Sequence, residues 1–165
     1  MKIKFKKMEK KKVLKIVAII GIAGLLIGGG IGLYMFNMPH RDVQTSSADF
    51  SLKSSEIVAE YLVDRDAANK KYLAADGDSK ILEITGTIAK LSEDYDGNKV
   101  VLLKETGDVA GVSATFTPET NRYAESLSTG QTITVKGVIR SGASYDEDLE
   151  MYEHVIIEKS DVLIK

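Results

Sequence analysis

Leu82-Glu83-Ile84-Thr85-Gly86-Thr87-Ile88 alternates without a fault: Leu82, Ile84, Gly86 and Ile88 share one face, and Glu83, Thr85 and Thr87 share the other. A period of two predicts a half-buried β-strand. The layout returns in Ile133-Thr134-Val135-Lys136-Gly137-Val138-Ile139. Each run carries a glycine at an inward-type position in mid-course. Such a glycine permits the sharp bend that a small closed barrel needs.

Further strands lie around these two. Asp94-Tyr95-Asp96-Gly97-Asn98 is a turn, with Asp96-Gly97 as a hairpin signal, and residues 99–104 follow as a second strand. Residues 111–116 make a third, with Val112, Ala114 and Phe116 on one side. A short helix is predicted over 118–127, with Thr117 as N-cap and Pro118 at the first helical position. The fourth strand spans 131–140. The last covers 153–158 and 161–164, broken near Lys159-Ser160.

Upstream, Ile57, Val58, Tyr61, Leu62, Ala68 and Tyr72 recur at helical spacing, which predicts a helix over 55–73. Ser54 is its expected N-cap, Glu56 complements the helix dipole, and Lys70 and Lys71 suit its end. The order is helix, three strands, short helix, two strands. It predicts a mainly β chain with some α: a five-stranded OB-fold, a Greek-key barrel over 80–165 with a preceding helix.

The start of the chain is a different object. Residues 1–36 hold eight lysines and one glutamate, a net charge of +7, whereas the remainder holds 14 Lys and Arg against 23 Asp and Glu, a net of −9. Residues 16–36 are 21 positions without a charge. At about 1.5 Å per residue, such a helix spans roughly the 30 Å hydrocarbon core of a bilayer. This predicts a transmembrane helix. The lysines before it predict a cytoplasmic N-terminus and a body on the other side, periplasmic or external. The apolar run exceeds the about seven to fifteen residues of a cleaved signal, and no A-x-A-like site follows, so an uncleaved anchor is expected. The predicted organisation is a basic cytoplasmic tail (1–15), an anchor (16–36), a juxtamembrane linker rich in Ser, Thr, Asp and Lys (37–54), and an extracytoplasmic domain (55–165).

Four segments carry a family resemblance: Asn37-Met38-Pro39-His40-Arg41-Asp42-Val43, Asp66-Ala67-Ala68-Asn69-Lys70-Lys71-Tyr72-Leu73, Glu83-Ile84-Thr85-Gly86-Thr87-Ile88 and Thr134-Val135-Lys136-Gly137. With them the chain resembles the bacterial tRNA-anti-like OB-fold family of small membrane-anchored envelope proteins. It departs in the longer Ala74-Ala75-Asp76-Gly77-Asp78-Ser79 stretch and in lacking a third-strand cysteine. The resemblance implies architecture and location, and it brings no catalytic residues.

Functional chemistry is sparse. There is no cysteine, so disulfides, thiolate catalysis and lipobox lipidation are excluded. Nucleic acid is not expected as a partner. Such a face needs cations and stacking platforms, but the body is acidic, and Phe116, the one aromatic of the second and third strands, alternates inward. Asp94, Asp96 and Asn98 imitate half a calcium loop without its closing glutamate, so turn chemistry accounts for them and no metal is expected. His40 and His154 have no nucleophile partner in sequence, and neither an enzyme nor a cofactor is expected. The expected function is a tethered binding module for an envelope protein, peptide, glycan or small cationic ligand. Its candidate ligand residues are Tyr95, Tyr145, Asp146 and Asp148, at the loops bordering the usual OB ligand face. Gly24, Gly28 and Gly32, four residues apart, are candidates for helix pairing between two copies.

Overall fold

The computed structural model describes residues 10–36, 42–75 and 77–163. The lysines of the first nine residues, His40 and the rest of 37–41, Asp76 and Ile164 lie outside the described residues. The chain divides into two compact units, Met1–Arg41 and Asp42–Lys165.

The first unit contains α1 (Lys10–Phe36). Its Lys15–Leu33 stretch has a mean hydropathy of 2.4. By length and composition α1 can cross a bilayer.

The second unit is a closed barrel. Its strands are β2 (Ile81–Glu93), β3 (Lys99–Leu103), β4 (Val112–Phe116), β5 (Thr132–Ser141) and β8 (Val155–Val162). The order β2-β3-β4-β8-β5 returns to β2. Only β4 and β8 pair in parallel among these five. This is OB-fold topology. α4 (Asn121–Ala124) joins β4 to β5. Alternation sends Ile84, Val101, Leu103, Val112, Ala114, Phe116, Val135 and Ile157 inward, all buried. The opposite faces of β2 and β5 carry a threonine ladder, with Thr85 Oγ1 and Thr134 Oγ1 2.8 Å apart.

Gly86 and Gly137 act by close approach. A Cβ on Gly86 would stand 2.6 Å from Ser54 Oγ, and one on Gly137 would stand 2.7 Å from Ser160 Oγ. The irregularity of β2 falls later, between Ile88 and Lys90. Gly137 faces the point where β8 slips register, and Lys159 there has φ 53°. The expected break at Lys159-Ser160 is thus a bulge inside one continuous strand.

Other expectations need correction. Residues 42–53 are not a free linker. Val43 is buried, Gln44 Nε2 donates to Lys159 O (2.6 Å), and Lys136 Nζ donates to Gln44 O (3.1 Å) and Ser46 O. β1 (Phe50–Lys53) pairs in parallel with β2, placing Leu52 beside Ile84. The helix expected over 55–73 is two, α2 (Ser54–Val63) and α3 (Arg65–Tyr72). Asp64 is extended between them, and its carboxylate accepts Ala67 N–H (3.0 Å), a capping preference that outweighs periodicity. The break lets Ile57, Val58 and Tyr61 of one helix and Ala68 and Tyr72 of the other all join the core. Ser54 lies inside α2 and Lys53 is the N-cap, its N–H donating to Glu56 Oε2 (2.7 Å). α4 is shorter than predicted, because 118–120 form a turn in which Thr117 O accepts Asn121 N–H (2.8 Å). The acidic loop after β5 is a hairpin of β6 (Ser144–Asp146) and β7 (Met151–Glu153).

Candidate ligand-binding face

OB-folds hold ligands on the outer side of their second and third strands, between the first hairpin turn and the loop before the last strand. Those strands are β3 and β4. Their outward residues are Val100, Leu102, Ser113 and Thr115, between the buried Val101, Leu103, Val112, Ala114 and Phe116. Leu102 lies beside Ser113, and Ser113 beside the exposed Ile156 of β8. The face is therefore aliphatic and hydroxyl-bearing, with Phe116 turned into the core as expected.

Aromatic surface comes from β6 and β7. Tyr145 and Tyr152 are direct cross-strand partners with ring centroids 4.9 Å apart. They remain 50 % and 37 % exposed. Leu149 and Met151 are exposed beside them in the chain. Asp146 Oδ1 accepts the N–H groups of Asp148 and Leu149, both at 2.9 Å, and so holds the turn. Ser144 Oγ donates to Glu153. Glu147, Asp148 and Glu150 are exposed at the tip, with Glu150 at φ 50°.

Both roots of the hairpin are pinned. At one, Gly142 lies against the Tyr61 ring. At the other, Gly111 N–H donates to His154 Nδ1 (3.1 Å) and Val155 N–H to Gly111 O (3.0 Å). Burial, and then the Lys104 charge, hold the His154 imidazole below its usual pKa. His154 therefore serves as a neutral acceptor.

Tyr95 is fully exposed on the other bordering turn. There Asp94 accepts from Asp96 N (2.9 Å), Asn98 N (2.8 Å) and Asn98 Nδ2 (3.0 Å). The bonds from Asn98 lead in holding the Asp94 carboxyl below its ordinary value. Asn121 fastens the turn to α4 by accepting Lys99 N–H (2.8 Å) and donating to Gly97 O (3.2 Å). This turn meets the Lys99 end of β3, whereas His154 and the β6–β7 hairpin meet the end near Leu103. Tyr95 and Tyr145 thus belong to loops that meet opposite ends of β3.

Of the candidate ligand residues, Tyr145 keeps a free aromatic face, Asp146 is committed to the turn, and Asp148 stands at the tip. Tyr152 escaped the sequence reading. Its signal was the mirrored Ser144-Tyr145-Asp146 and Met151-Tyr152-Glu153 around an acidic centre. Among the described residues, no three His, Asp or Glu side chains group as metal ligands. On α1, a Cβ at Gly24, Gly28 or Gly32 would meet nothing within 4 Å.

The profile of the tRNA_anti-like family matches residues 1–147. No curated protein matches the chain. Among solved structures, the chain is similar to a lipoprotein of Klebsiella pneumoniae subsp. pneumoniae proposed to bind nucleic acid. That likeness has 15 % identity and a TM-score of 0.51, over 77 % of this chain and 100 % of the other. It shows a shared fold. Partial likenesses extend to the S. pombe Stn1-Ten1 complex (24 % identity, TM-score 0.34, 52 % of this chain and 59 % of that one). They also extend to an OBody, NL8, bound to hen egg-white lysozyme (19 %, 0.36, 52 % and 96 %).

Proposed function

The chain belongs to the tRNA_anti-like family, and from this we propose that it is a membrane-tethered OB-fold binding module of the bacterial cell envelope. α1 is the tether. The lysines before it favour a cytoplasmic N-terminus, which leaves the barrel periplasmic or external. The module binds and does not catalyse. Its ligand is a protein, peptide, glycan or small cationic molecule of the envelope.

The observation that carries this reading is the exposed Tyr145–Tyr152 pair, which stands where OB-folds place their ligand loop. Paired rings beside carboxylates suit sugar faces and cationic groups. They suit polyanions poorly, because the domain side of the chain has an excess of acids. The nucleic-acid description attached to the Klebsiella lipoprotein is that protein's own.

The test is photo-crosslinking in cells from position 152, followed by mass spectrometry, with a matched probe at position 95. A reproducible partner captured from 152 and lost on Tyr145→Ala supports the reading. Absence of any partner, or tight binding of single-stranded oligonucleotides at physiological salt by the purified chain, overturns it.

A second reading makes the chain an assembly subunit that pairs through α1. The four-residue spacing of Gly24, Gly28 and Gly32 supports it. Gly28→Ile then abolishes dimerisation in a membrane two-hybrid assay, and an unchanged signal removes the idea.

A further inference from the structure

α2 and α3 are apolar on two sides. Ile57, Val58, Tyr61, Ala68 and Tyr72 face the core. Ala59, Val63 and Ala67 are exposed, Val63 at 86 %. A helix that only covers one end of a barrel needs a single apolar stripe. The break at Asp64 shapes the second one into a groove of about 750 Å³ against β1, floored by Leu52, Ala59, Val63, Ala67 and Ala68.

Charge around the groove is one-sided. Glu56, Glu60 and Asp64 line it against a single cation, Lys71. Lys71 Nζ donates to both oxygens of Glu60, at 3.0 and 2.8 Å, and so is already paired. Burial works against the Glu60 anion, but the bonds from Lys71 and Tyr72 prevail and hold its carboxyl below the usual range. Glu56 and Asp64 each accept one backbone N–H, from Lys53 and Ala67, which leaves oxygens open to a visitor. Small alanines make the floor, and carboxylates stand at the edge.

We propose that this groove docks a cationic amphipathic segment of a partner polypeptide. One aliphatic side chain rests on the floor beside Ala59, Val63 and Ala67, and a neighbouring lysine or arginine reaches Glu56 or Asp64. The apolar contact supplies affinity and the carboxylates select the charge. The site shares no residue with the Tyr145–Tyr152 face, so either can fail alone.

The experiment uses the full chain in zwitterionic nanodiscs, with empty nanodiscs subtracted. A fluorescent peptide of alternating leucine and lysine is titrated by anisotropy, beside an alanine–lysine peptide of equal charge. The leucine peptide is expected to bind about tenfold more tightly than its control. Ala59→Trp, which fills the groove, and Val63→Ser, which removes exposed apolar surface at no packing cost, should each weaken it by about tenfold. Tyr145→Ala should leave it unchanged. Equal affinity of the two peptides, or indifference to both groove variants, overturns the proposal. Self-association of the chain that Ala59→Trp abolishes would assign the groove to a second copy, and overturns it as well.

Discussion

The ring of Tyr61 in α2 lies directly over the Cα of Gly142, so closely that a Cβ at position 142 would overlap the ring. This contact ties the helix that covers the barrel to the root of the β6–β7 hairpin. Gly142→Ala should therefore cost about 1–3 kcal/mol, through forced movement of a buried ring. Thermal unfolding would register this as a lower Tm, and an unchanged Tm would show that Tyr61 yields freely.

The phenol of Tyr61 leads to the opposite expectation. Its Oη is buried with no hydrogen-bond partner. Burial, and then the neighbouring Tyr72, push its pKa up to about 12. Tyr61→Phe removes an unsatisfied polar atom and keeps the ring, so stability should hold or rise by about 1 kcal/mol. Denaturant titration of the two proteins would decide it, and a clear loss would reveal an unseen partner for Oη.

Ser54 and Gly86 should be energetically coupled. Ser54 Oγ is buried and unpartnered, and it occupies the space where a Gly86 Cβ would go. Gly86→Ala alone should destabilise by about 1–3 kcal/mol. With Ser54→Ala added, the hydroxyl that blocks the new methyl is gone. A double-mutant cycle should then return a favourable coupling of about 1 kcal/mol. Simple additivity would place the strain of Gly86→Ala elsewhere, for instance on Leu103.

His154 makes the fold sensitive to mild acid. Its folded pKa is lowered by burial and Lys104, whereas an unfolded histidine titrates near about 6.5. The unfolded chain therefore binds the proton first. Stability is complete above about pH 6.5 and falls as the pH drops through that value toward the folded one. His154→Asn offers Gly111 N–H a carbonyl acceptor that cannot titrate. Its Tm should be flatter than wild type between about pH 7 and 5. Parallel curves would remove His154 as the source.

Lys136 clamps the entry to the domain. It is buried, and its Nζ donates to the carbonyls of Gln44 and Ser46. Lys136→Met keeps the stem and deletes the charge-assisted bonds, a loss of about 1.5–3 kcal/mol. Limited proteolysis should then cut within residues 42–49 well before the barrel. Cleavage at an unchanged rate would mean that Val43 packing alone holds the segment.

The strands were readable because alternation is a local property. Gly86 and Gly137 announced inward positions of β2 and β5 from single stretches of chain. Asp96-Gly97 announced the turn, and the uncharged run after Lys15 announced a helix long enough for a bilayer. β1 was not readable. Phe50-Ser51-Leu52-Lys53 alternates over four residues only, and its parallel partner lies beyond two helices. The division at Asp64 was signalled by a capping residue, but a continuous helical stripe ran across it.

Tyr145 was legible as a rim residue, whereas its pairing with Tyr152 was not. Four acids in the intervening stretch read as a solvated loop until the register Ser144↔Glu153, Tyr145↔Tyr152 set the rings together. The groove beside Val63 was hidden for a related reason. Its floor joins residues of β1, α2 and α3, which the division at Asp64 sets to one side. By itself, the sequence determined the apolar helix, the acidic body, the strand faces and their order. Tertiary structure alone decided that Ser54 lies on Gly86, that Tyr61 lies on Gly142, and that the turn of Tyr95 and the hairpin of Tyr145 meet opposite ends of β3. Periodicity follows from the geometry of each residue's own backbone. Contact between distant residues depends on register and closure, which the chain sets only when its strands meet.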